Sequence, residues 1–89
     1  MSKTDAEIHN DCVNRFIELA NTMKNEGINI PLVSQGMMSA SATYATFAAA
    51  GNAGGLTESG VDKMVEVYKR ELQQVQVAKK NHAAASTPE

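Results

Sequence analysis

The sequence predicts an all-α fold, an antiparallel three-helix up-down-up bundle, on three observations. Large apolar residues recur at steps of three and four over three separate stretches, which is the spacing of one helix face. Hydrophobic residues make up 43% of the chain but aromatic ones only 4%, with no Trp, so the core must be aliphatic and Ala-rich, which suits helices better than sheets. Helix start and stop residues stand at the ends of each stretch, and the links between them are short, which favours antiparallel neighbours.

The first helix is predicted over residues 5–26. Residues 1–3 have nothing to bury and should fray. Thr4-Asp5-Ala6-Glu7 fits a capping box, in which Thr4 and Glu7 each bind the other's backbone N–H. Ile8, Cys12, Phe16, Leu19 and Met23 form the apolar seam, widened by Val13, Ile17 and Ala20. Gly27 is the expected stop, with Ile28 positioned to fold back on Met23 in a Schellman motif.

The second helix is predicted over residues 31–50, with Pro31 in the first turn, where its missing N–H costs nothing. Its seam is Val33, Met37, Ala40, Tyr44 and Phe47, flanked by small residues that let a neighbouring backbone approach. Gly51 should stop it, and residues 51–55 read as a loop. The third helix is predicted over residues 57–80, with Thr57 as the N-cap and Leu56 and Val61 as a hydrophobic staple. Val61, Val65, Tyr68, Leu72 and Val75 make the cleanest heptad seam in the chain. Residues 1–81 are expected to form one helical domain. Residues 82–89 carry no large apolar group and should be a flexible tail.

One feature does not suit a lone bundle. No charged residue occurs from Gly27 to Thr57, so helix two has no charged face to turn to solvent, whereas helices one and three do. Its outer face carries Gln35, Met38, Ser39, Ala42, Thr46 and Ala49. A mildly polar exposed face would satisfy this pattern, and so would coverage by a second subunit or by another protein. The chain has only 89 residues, too few to bury a large core alone, and this favours a second copy. Met38, off the main seam, is the best single candidate for an interface residue.

Several function classes are disfavoured. Eight basic and ten acidic residues leave a net charge of −2 and no basic footprint for nucleic acid. The uncharged stretch is too polar for a membrane span, given Asn29, Pro31, Ser34, Gln35 and several Ser and Thr beyond them. The N-terminus lacks a secretory pattern and the single Cys12 cannot close an intramolecular disulfide, so a cytoplasmic protein is expected.

Chemical sites are sparse, and no catalytic set or cofactor motif is expected. His9 and Cys12 stand one turn apart on helix one with Asp5 a turn earlier, a weak set for zinc, because three ligands on one helix rarely close a tetrahedron. As a nucleophile Cys12 would need His9 as its base. The glycines of residues 51–55 lack both the preceding strand and the Lys of a phosphate loop. Tyr44 and Tyr68 sit on seams and could meet a small ligand between helices, although core tyrosines with the hydroxyl at the bundle edge are the favoured reading.

The segments Phe16-Ile17-Glu18-Leu19-Ala20-Asn21 and Val33-Ser34-Gln35-Gly36 through Tyr44-Ala45-Thr46-Phe47 resemble a family of short, helical bacterial proteins of uncharacterised function. That resemblance implies a helical, cytoplasmic protein and brings no known activity. Where the family pattern has Ala-Ala-Arg near the tyrosine, this chain has Ala42-Thr43 and Ala45-Thr46, so a role for that Arg does not carry over. The resulting expectation is a non-catalytic helical protein–protein interaction module, homodimeric through the uncharged helix. A small-ligand or metal-binding protein with a groove between helices is the alternative.

Overall fold

A computed structural model of the chain describes the backbone of residues 2–86 and the side chains of residues 2–82. It consists of three α-helices, α1 (Asp5–Asn25), α2 (Ile30–Ala50) and α3 (Glu58–Ser86), with no strand among the described residues. The chain divides inside α2 into two units, Met1–Tyr44 and Ala45–Glu89.

In the first unit, α1 begins on the expected capping box. The Glu7 N–H donates to Thr4 Oγ1 at 3.2 Å and the Thr4 N–H donates to Glu7 Oε1 at 2.8 Å, so two donors that the helix itself leaves unpaired are both satisfied. The Thr4 backbone N–H, and after it the Thr4 hydroxyl, favour the ionised carboxylate and hold Glu7 below the usual carboxylate range. Lys3, expected to fray, forms an ion pair with Asp11; both side chains are exposed, so the pair adds little stability.

The end of α1 is a Schellman motif. The Gly27 N–H donates to Lys24 O at 3.0 Å and the Ile28 N–H to Met23 O at 3.2 Å, with Gly27 at φ 95°. Asn29 then opens α2, its carbonyl accepting from Leu32 and Val33 N–H at 3.0 Å each. Pro31 therefore occupies the second helical position rather than the first, and it still needs no N–H partner there. Ala20, Met23 and Val33, beside this turn, are half-buried.

In the second unit, Gly51 ends α2 with φ 78°, and its N–H donates to Phe47 O at 2.8 Å. The loop then folds so that Gly54 lies against the end of α2: a Cβ there would stand 2.5 Å from the Ala50 carbonyl oxygen and 3.1 Å from Ala50 Cβ. Thr57 caps α3 as expected, its Oγ1 accepting from Gly60 N–H at 3.1 Å and its carbonyl from Val61 N–H at 2.9 Å. Leu56 lies over Gly60, 3.5 Å from where that residue's Cβ would be, and both are half-buried.

Two expectations are corrected. The third helix does not stop at Lys80 but continues to Ser86, so residues 82–86 of the expected tail are helical; residues 87–89 lie outside the described residues. The reason is local, because Ala83, Ala84 and Ala85 are the strongest helix formers and need no packing partner to extend a helix. The enclosed core expected along the seams is likewise absent, since no described residue is buried. Phe16 keeps 62% of its surface exposed, Tyr44 70% and Val65 61%. Periodicity fixes which side of each helix is apolar, but it does not supply the surface that covers it.

Candidate functional site

The residues singled out on α2 follow from helical geometry. Gln35, Met38, Ser39, Ala42, Thr46 and Ala49 recur at one, three or four residues and therefore share one face, opposite the seam of Val33, Met37, Ala40, Tyr44 and Phe47. Met38 is 53% exposed, Gln35, Ser39, Ala42 and Ala49 are exposed, and Thr46 is half-buried. Next to this face, Thr43 turns its hydroxyl inward on its own helix and donates to Ser39 O at 2.9 Å. Thr22 on α1 does the same, donating to Glu18 O at 3.0 Å. Such hydroxyls are satisfied within the helix, and the surface they present outward is largely methyl.

The opposite seam of α2 is open as well. Met37 and Phe47 are exposed and Tyr44 more so, while Val33 is half-buried. Gly36, between the two faces, has no atom within 4 Å of the position its Cβ would take, so nothing inside the chain explains a glycine in mid-helix. The helix as a whole offers apolar and neutral polar groups on every side and no charge.

His9 and Cys12 are both exposed on α1, one turn apart. Among the described residues no group of three or more His, Cys, Asp or Glu side chains gathers at one place. Asp5, the third member of the weak set, lies in the acidic first turn of α1, where its charge suits the positive end of the helix dipole. Tyr68 is exposed on α3, on the same seam as Val61, Val65, Leu72 and Val75. An open, shallow groove runs along α3, lined by Arg70, Gln73, Gln74, Val77, Ala78 and Asn81, and it is too flat to enclose a small molecule. No helix among the described residues is long and apolar enough to cross a membrane.

The feature that sequence reasoning missed is the openness of α3. Its heptad seam reads as the core of a bundle, yet Val61, Val65, Tyr68, Leu72 and Val75 are each at least 45% exposed.

A family model described as "Protein of unknown function (DUF3144)" matches residues 10–81. The chain belongs to this family. Neither a curated protein nor a solved structure matches it.

Proposed function

We propose that this member of the family is a non-catalytic helical protein–protein interaction module of the cytoplasm, homodimeric through α2. The observation that carries this reading is the conjunction of an uncharged α2 with the absence of any buried residue among those described. Large apolar side chains left in water forgo roughly 1.5–3 kcal/mol each of burial free energy. With none of its described residues buried, the chain gains little of that free energy on its own. Association recovers it, and a second copy is the partner always present at equal concentration.

The face of Gln35, Met38, Ser39, Ala42, Thr46 and Ala49 is suited to the contact because it can be desolvated without stranding a charge. Its small residues allow close approach of two helices, and Met38 adapts its shape to what it meets. The test is the double substitution Met38→Glu with Ala42→Glu, followed by sedimentation equilibrium. The expected result is a helical chain whose dimer dissociates at concentrations where the parent chain stays paired. A variant with the parent's mass and the parent's partners would refute the use of this face.

A further inference from the structure

We propose that α3 pairs with the α3 of a second copy as an antiparallel two-stranded coiled coil in one defined register, Val65 against Tyr68 and Val61 against Leu72. This goes beyond the reading of α2, since such a pair forms whether or not α2 is also in contact.

The heptad positions follow from the seam. Val65 and Leu72 take position a, and Val61, Tyr68 and Val75 take position d, which leaves Asp62 and Lys69 at e and Met64 and Glu71 at g. The whole strip is open, as the exposures of its five core residues show. Neither Asp62 nor Lys69 has an ion-pair partner among the described residues.

Charge selects the orientation and the register. In an antiparallel pair each a residue meets a d residue, and e faces e while g faces g. With Val65 against Tyr68, Asp62 of each copy stands across from Lys69 of the other, giving two opposite-charge pairs by symmetry. Met64 faces Glu71, which costs nothing. A slip of one heptad in one direction sets Lys69 against Lys69 and Glu71 against Glu71, and a slip in the other sets Asp62 against Asp62. Like charges so placed repel, so both neighbouring registers are penalised. A parallel, in-register pair faces g with the following e of the partner, which matches Met64 with Lys69 and Glu71 with Gln76 and forms no opposite-charge pair. Of these four arrangements, the one proposed is the only one in which opposite charges meet.

The overlap covers residues 58–75, so residues 76–86 of each α3 project past the end of the other copy. The open groove of Arg70, Gln73, Gln74, Val77, Ala78 and Asn81 lies on the other side of the helix and stays free.

Directed cross-linking in the full chain tests both orientation and register. In a Cys12→Ser background, the only cysteine is the one introduced. Chains carrying Val61→Cys are mixed with chains carrying Leu72→Cys and oxidised. The proposed pair predicts the mixed disulfide as the main product, because positions 61 and 72 of opposite copies are adjacent. Two copies of position 61 would be about 16 Å apart along the axis at 1.5 Å per residue. Predominant self-linked products would overturn the proposal in favour of a parallel pair, and absence of any cross-link would overturn it outright.

Because cysteine in the seam could itself weaken the pair, charge exchange gives a second readout. Asp62→Lys alone and Lys69→Asp alone should each raise the dimer dissociation constant roughly tenfold, and the two together should restore it. Failure of the double variant to recover would overturn the register. The two readings separate: a mixed disulfide that persists with Met38→Glu and Ala42→Glu in place shows α3 pairing without α2, and a dimer affinity unchanged by those two substitutions refutes the α2 contact and leaves α3 standing. A dimer of parent mass with no cross-link does the reverse.

Discussion

Gly54 lies so close to the end of α2 that a Cβ on it would sit 2.5 Å from the carbonyl oxygen of Ala50. The atom in the way belongs to the backbone and cannot rotate aside. Gly54→Ala should therefore force the loop off the helix end, at a cost of about 1–3 kcal/mol. Gly55, one residue on, has open space where its Cβ would be, and Gly55→Ala should be close to neutral. Thermal melts of the two variants side by side check the contrast, and equal midpoints would remove the contact.

At the other end of the chain, Thr4→Ala removes the hydroxyl that receives the Glu7 N–H and should cost about 1 kcal/mol. Helicity lost in this variant should map to the first turn of α1. Amide exchange at Glu7 and Ile8 is the direct readout, and unchanged protection would mean the cap contributes nothing.

Glu7 also gives α1 a pH dependence. Its carboxylate is held below its ordinary value by the Thr4 N–H and hydroxyl, so the folded form binds its proton less readily than the unfolded chain does. Such a group contributes stability above the unfolded pKa and loses it as pH falls through the folded one. Acid titration followed at the Glu7 side chain by NMR should place its midpoint below that of the same residue in the unfolded chain. In the Thr4→Ala variant, which keeps the backbone N–H and loses the hydroxyl, the midpoint should move part of the way up towards that unfolded value.

Gly36 interrupts α2 with no close neighbour inside the chain. Where nothing else intervenes, Gly36→Ala should stabilise the helix by about 1 kcal/mol. A higher melting midpoint in dilute solution is the expected outcome. If the variant melts lower as concentration rises into the dimer range, a neighbouring backbone occupies the space beside Gly36.

What could be read in the sequence is what is decided within a few residues. Thr4 with Glu7, Gly27 with Ile28, Gly51 and Thr57 set the helix ends by hydrogen bonds to their own near neighbours, and the structure has them in those roles. The far end of α3 escaped because the lack of large apolar groups past Lys80 was weighed above the strong intrinsic helix preference of Ala83 to Ala85. The openness of the seams escaped for a different reason. The spacing of Val61, Val65, Tyr68 and Leu72 is the same whether another helix of this chain or a helix of a second copy lies against them. For the candidate site, the uncharged face of α2 was legible as composition, but Asp62 and Lys69 acquire meaning only once the seam between them is known to be open.

The most direct test of the central claim is the solution mass of the intact chain by sedimentation equilibrium over a wide concentration range. A reversible dimer is predicted, with a melting midpoint that rises with concentration. A monomer at every concentration, fully helical and cooperatively folded, would contradict it, because exposed seams on all three helices would then have needed no partner.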